Sequence, residues 1–61
     1  MNDYRERIQN RANIVGVVLS SEQLAVLNQQ VNDRVKNGLH EFDALDYAYF
    51  HIENNYSLNG G

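Results

Sequence analysis

The chain has 61 residues, a formal net charge of −3, and neither cysteine nor proline. A chain of this length makes one small domain, residues 1–61, and the lack of cysteine excludes disulfides and thiolate zinc sites as its support. Five basic residues against eight acidic ones argue against a general nucleic-acid-binding surface. We therefore expect the domain to be stabilised by self-association, as a homodimer or a higher oligomer.

The sequence contains no segment typical of export or membrane insertion. The first residues lack the apolar core of a signal peptide, and no stretch approaches the roughly 20 apolar residues of a membrane span. We expect a cytoplasmic protein that contacts no membrane. Neither a metal nor an organic cofactor is expected, because the densest set of metal-ligand types, His40, Glu41 and Asp43, offers too few ligands at poor spacing.

The first 19 residues have two interpretations. In the first, residues 1–12 are an arm and residues 13–19 are a short strand, whose faces would carry Val15, Val17 and Leu19 on one side and Ile14, Gly16 and Val18 on the other. Both faces lack charge and must be covered, which favours pairing in a dimer. The alternative is a helix over residues 3–18, although Gly16 costs about 1 kcal/mol in a helix interior.

Ser20 begins the clearest helix, which we predict over about residues 21–36. Gln23 falls at the third helical position and completes a capping box, while Leu19 and Leu24 are spaced as a hydrophobic staple. One apolar stripe follows at steps of three and four residues, formed by Leu24, Leu27, Val31 and Val35. Asn37-Gly38 ends the helix, because glycine readily takes the left-handed conformation.

A further helix is predicted over about residues 43–55. Asp43 is the expected N-cap, and His40 is the rival. The apolar stripe comprises Phe42, Leu45, Tyr49, Ile52 and Tyr56. Residues 57–61 are expected to be a flexible tail.

The order of strand, capped helix, glycine turn and second helix resembles the ribbon-helix-helix family of the ParD, CopG and Arc type over residues 13–55. The segment Val17 to Leu24 looks like the strand-to-helix junction of antitoxins of the ParD type, and Ala44 to Tyr49 is similar to their second helix. The resemblance implies a mainly α, intertwined dimer whose paired strands lie in the DNA major groove. The positions that would face DNA are Ile14, Gly16 and Val18, whose side chains cannot hydrogen-bond to a base edge.

An aromatic flank on the last helix is the predicted partner-binding site. Tyr47 and Phe50 point away from the apolar stripe, with His51 and Asn54 beside them. Exposed Tyr and Phe are typical of protein interfaces. The flank is therefore either a surface for self-association or a hot spot for another protein.

Two more sets of residues are assigned from the pattern. The oligomer interface is predicted to comprise Ile14, Val15, Val17, Val18, Leu19, Tyr49, Ile52 and Tyr56. If the chain binds DNA, the phosphate contacts are assigned to Arg5, Arg7 and Arg11.

These features favour a small, non-enzymatic regulatory protein that acts by protein–protein binding as a homo-oligomer, like an antitoxin or a phage-encoded inhibitor. An enzyme is not expected, because so short a chain offers little wall to desolvate carboxylates such as Asp43, Asp46 and Glu53. The alternative is a ribbon-helix-helix transcriptional repressor, and a third hypothesis is a small-ligand sponge with sites between protomers.

Overall fold

A computed structural model describes residues 3–55, which form three α-helices. Helix α1 is Arg5–Val15, α2 is Ser21–Lys36 and α3 is Glu41–Asn55. These residues contain no strand, so the predicted strand over residues 13–19 is wrong, and the ribbon-helix-helix fold with it. The alternative three-helix architecture is the observed one, although its first helix is shorter than residues 3–18. Tyr56 and the predicted tail lie outside the described residues.

Gly16 ends α1 and thereby divides the β-branched run. It adopts the left-handed conformation, with φ 75° and ψ 26°. The N–H of Val17 donates to the carbonyl of Ala12 at 2.7 Å, and the N–H of Gly16 donates to the carbonyl of Asn13 at 3.2 Å. These are the two hydrogen bonds of a Schellman motif, which satisfy the last carbonyls of a helix. The residues before Gly16 therefore complete a helical turn, and those after it form a connection.

The connection between α1 and α2 buries alternate side chains. Val17 and Leu19 are only 5% and 7% exposed, whereas Val18 between them is 91% exposed and Ile14 is 77% exposed. Successive side chains point to opposite sides wherever the backbone is extended, in a loop as in a strand. The two faces expected of a strand are thus present in the burial pattern, but the inner face packs on the core of its own chain.

Helix α2 begins and ends with the local signals that the sequence carries. Ser20 Oγ accepts from the N–H of Gln23 at 3.1 Å, and the N–H of Ser20 donates to Gln23 Oε1 at 2.8 Å, which completes the capping box. At the other end Gly38 has a positive φ of 108°, and the N–H of Leu39 donates to the carbonyl of Arg34 at 3.0 Å. This second Schellman-type end delivers the chain to α3 within a short turn.

Helix α3 begins at Glu41, earlier than the predicted start at residue 43. The Nδ1 atom of His40 accepts a hydrogen bond from the N–H of Phe42 at 3.1 Å, so His40 and not Asp43 caps the helix. Phe42 is 59% exposed and packs its ring against His40, with centroids 5.0 Å apart. The prediction that Phe42 lies on the buried stripe is therefore wrong.

All three helices and the α1–α2 connection contribute to one core. Its buried residues are Tyr4, Ile8, Ala12, Val17, Leu19, Leu27, Val31, Ala44, Leu45, Ala48 and Ile52. Tyr4, which precedes α1, contacts both other helices, since its N–H donates to Asn28 Oδ1 of α2 at 2.8 Å and its hydroxyl donates to Glu41 Oε2 of α3 at 3.3 Å. Each helix thus buries a face within a single chain, and the large side chains that remain outside are surplus to this core.

Candidate protein-binding site

Besides Phe42 in its first turn, α3 carries two large aromatic side chains that the core does not use. Ala44, Leu45, Ala48 and Ile52 fill the inner face and are each at most 3% exposed. Tyr47 and Phe50 are 56% and 68% exposed. At 3.6 residues per turn, the two rings stand one turn apart on the side turned away from the core.

The two rings help to form an open groove of about 480 Å³. We call it the α3 groove, and it is lined by Leu39, Asp43, Asp46, Tyr47 and Phe50. Leu39 comes from the turn between α2 and α3, and the other four residues come from the first three turns of α3. The groove therefore combines an apolar surface with two carboxylates.

Arg34 packs against the ring of Tyr47 from the last turn of α2. Its guanidinium carbon lies 4.7 Å from the ring centroid. The Arg34 side chain is half-buried. A guanidinium over an aromatic face is attracted by the ring quadrupole, and the contact restricts the orientation of the ring. One wall of the α3 groove is therefore held in place by a side chain from a different helix.

The two carboxylates of the groove have different surroundings along the helix. Asp43 lies in the first turn of α3, where the helix dipole stabilises a negative charge. Asp46 lies beyond that turn, where this effect has faded. Within residues 3–55 neither takes part in an ion pair, since the pairs found there join Arg5 to Asp3 and Arg11 to Glu53. Both are exposed.

The four predicted partner-binding residues divide into two groups. Tyr47 and Phe50 line the groove, whereas His51 and Asn54 do not. His51 is half-buried, and the side-chain amide of Asn54 donates to the carbonyl of Phe50 at 2.8 Å, so it is engaged with its own helix.

Three further lining residues were not assigned to the site from the sequence. Asp43 and Asp46 each precede an aromatic residue of the groove by four positions, and this spacing is the signal that could have found them. Leu39 had no such signal, because it reaches the groove through the turn between the helices.

Most of the arginines assigned to DNA contacts have partners within the chain. Arg5 donates to both carboxylate oxygens of Asp3 at 3.0 Å, and this hydrogen bonding lowers the pKa of Asp3 from 3.8 to about 2. Arg11 lies over the ring of Tyr49 with its Nη1 atom 3.9 Å from Glu53 Oε2. Arg7 is exposed. Two of the three charges are thus already paired within the chain.

The predicted oligomer-interface residues take three kinds of position. Val17, Leu19 and Ile52 are buried in the core of a single chain, and Val15 and Tyr49 pack partly buried against it. Ile14 and Val18 remain exposed. Tyr56 lies outside the part of the chain that the structure describes. The core of one chain therefore accounts for the apolar character of most of this set.

Two structural features are absent from residues 3–55. No helix among them is long and apolar enough to cross a membrane. No group of three or more His, Cys, Asp or Glu side chains in this range could hold a metal ion.

Comparison with known proteins adds no family to this geometry. No family model, curated protein or solved structure matches the chain.

Proposed function

We propose that this chain is a small regulatory protein that acts by binding another protein through the α3 groove, and that it catalyses no reaction. The observation that carries the proposal is the exposure of Tyr47 and Phe50, at 56% and 68%, on a helix whose inner face is already buried. Aromatic side chains are enriched at protein interfaces and in their hot spots.

Burial of these rings by a partner supplies a substantial part of a binding free energy. Full burial of a large apolar side chain contributes roughly 1.5–3 kcal/mol. Two adjacent rings with Leu39 beside them form a contiguous apolar centre, and Asp43 and Asp46 stand beside it as polar groups. An apolar centre with a polar rim is the usual anatomy of an interface.

The openness of the groove favours binding over catalysis. Catalytic carboxylates work in sites that exclude water and position a substrate. Asp43 and Asp46 are both exposed in a groove on the side of one helix. A protein with such a surface acts by occupying a surface of its target, as an antitoxin or a phage-encoded inhibitor does.

The proposal is tested by capturing partners from a lysate of the source organism and measuring how much of each partner is bound. The wild-type chain is compared with a Tyr47→Ser/Phe50→Ser variant and with a matched control, Ile14→Ser/Val18→Ser, which removes exposed apolar side chains outside the groove. We expect the wild type and the control to retain one protein at a fixed stoichiometry by native mass spectrometry, and the groove variant to lose it. Equal retention by all three chains, or no stoichiometric partner at all, overturns the proposal.

A further inference from the structure

Resting on the proposed protein-binding function, we infer that the α3 groove receives an arginine side chain of the partner protein. The guanidinium lies against the ring of Phe50, and its N–H groups donate to the carboxylate of Asp46. Both residues line the groove, and they stand four positions apart on one face of α3.

A related arrangement, in which an aromatic residue and an acid hold an arginine, is present on another side of the same helix. Tyr49 and Glu53 are also an aromatic residue and an acid four positions apart, although here the aromatic residue comes first. Between them they hold Arg11, whose guanidinium carbon is 4.5 Å from the ring centroid of Tyr49 and whose Nη1 atom is 3.9 Å from Glu53 Oε2. An aromatic residue and a carboxylate at this spacing on α3 therefore accommodate a guanidinium.

Asp46 has no evident task within its own chain. It lies beyond the first turn of α3, and within residues 3–55 it belongs to no ion pair. An acid at an interface selects partners by charge complementarity and disfavours partners of like charge. Asp43, on the preceding turn, adds to the negative field that a basic side chain would meet.

The same acids disfavour a second copy of this chain as the occupant. In a twofold symmetric contact the same patch meets itself. The Asp43 and Asp46 carboxylates of one protomer would then face those of its partner, in a chain whose net charge is already −3. Arg34, the cation that borders the groove, is held against the Tyr47 ring, and Arg5 and Arg11 are held by Asp3 and Glu53, so these three offer little compensation.

Arginine suits the groove better than lysine. Its planar guanidinium stacks flat on an aromatic face and binds a carboxylate through two parallel hydrogen bonds, whereas an ammonium group acts as a point charge and does neither. The guanidinium carbon of Arg34, 4.7 Å from the centroid of the Tyr47 ring, already packs on an aromatic ring at the border of this groove.

The test uses a synthetic peptide as the probe and the full chain as the receptor. The probe is acetylated Leu-Arg-Ala-Leu-Leu-Arg-Ala-Leu amide, with two matched peptides that carry lysine or the neutral isostere citrulline in place of arginine. We expect the arginine peptide to shift the amide resonances of residues 43–50 and to bind roughly tenfold more tightly than the citrulline peptide. The lysine peptide should bind with intermediate affinity.

Two variants with the same net charge separate a specific site from general attraction. Asp46→Asn and Glu22→Gln each remove one negative charge, but only Asp46 lines the groove. We expect Asp46→Asn to weaken binding of the arginine peptide about tenfold, and Glu22→Gln to weaken it less than about twofold. Circular dichroism of both variants confirms that the helices are intact.

Equal affinity for arginine and citrulline peptides, or equal losses from Asp46→Asn and Glu22→Gln, overturns the arginine assignment. So does peptide binding that shifts resonances only outside residues 43–50, or self-association of the chain through the groove. These outcomes leave the proposed function standing if the groove variant Tyr47→Ser/Phe50→Ser still loses its partner from the lysate. If that variant keeps its partner, the proposed function itself fails.

Discussion

The guanidinium carbon of Arg34 lies 4.7 Å from the centroid of the Tyr47 ring, and this contact joins the end of α2 to the outer face of α3. Tyr47 is more than half exposed, so the contact lies at the protein surface and not in the core. It holds one wall of the α3 groove in a defined orientation before any partner arrives, which reduces the ordering cost of binding.

The Arg34–Tyr47 contact should be measurable as a coupling energy. We expect Arg34→Ala and Tyr47→Leu to be non-additive in the free energy of unfolding by about 0.5–1 kcal/mol, the usual range of an exposed cation–π pair. Urea unfolding of the wild type, the two single variants and the double variant gives this value. The cycle cancels the separate effect of Arg34 on the dipole of α2. Strict additivity would show that the contact does not form in solution.

His40 should be replaceable as a helix cap by a stronger acceptor. Its Nδ1 atom accepts from the N–H of Phe42 at 3.1 Å, so we expect His40→Ala to lower the free energy of unfolding by about 1 kcal/mol. His40→Asp should restore or exceed the wild-type stability, because a carboxylate accepts the same hydrogen bond and favours the helix dipole. Amide hydrogen exchange at Phe42 follows the cap directly. Exchange that is unchanged in His40→Ala would rule out capping by His40.

Neighbouring valines in the α1–α2 connection should differ sharply in their effect on stability. Val17 is 5% exposed and Val18 is 91% exposed. Val17→Ala removes two buried methyl groups and should lower the free energy of unfolding by about 2 kcal/mol. Val18→Ala should change it by less than about 0.5 kcal/mol. Chemical denaturation of both variants measures the difference, and similar losses would indicate that the connection is not packed as described.

Asp3 should titrate far below an ordinary aspartate. Hydrogen bonds from the side chain and the N–H of Arg5 hold the Asp3 pKa at about 2, against an ordinary value of 3.8. A pKa lowered in the folded state means that the pair stabilises the fold above about pH 4 and loses this contribution as the pH falls toward 2. Carboxyl-detected NMR titration gives the pKa, and Arg5→Gln should move it back toward 3.8. An equal pKa in the wild type and Arg5→Gln would contradict the pairing.

The parts of the fold that depend on local chemistry could be predicted from the sequence. Ser20 and Gln23 are three residues apart and cap α2 by themselves, so its bounds follow from a short stretch of chain. The conformation at Gly16 was harder to predict, because a glycine after a β-branched residue fits a strand, a helix interior or a helix end equally well. Val17 and Leu19 are buried because they pack against the helices of their own chain, and this packing is not visible in the local sequence.

The α3 groove shows the same division between local and long-range information. Tyr47 and Phe50 could be identified from helical spacing, since both fall off the apolar stripe. The contributions of Arg34 and Leu39 could not, because they depend on how α2 and the following turn lie against α3.

Photo-cross-linking in the source cells tests the protein-binding role of the α3 groove most directly. The photoreactive residue p-benzoyl-phenylalanine replaces Phe50 in one variant and Val18, which is exposed outside the groove, in the other. We predict a covalent adduct with one different protein from position 50, and no such adduct from position 18. Equal adducts from both positions, or an adduct from position 50 with only a second copy of the chain, would contradict the proposed role.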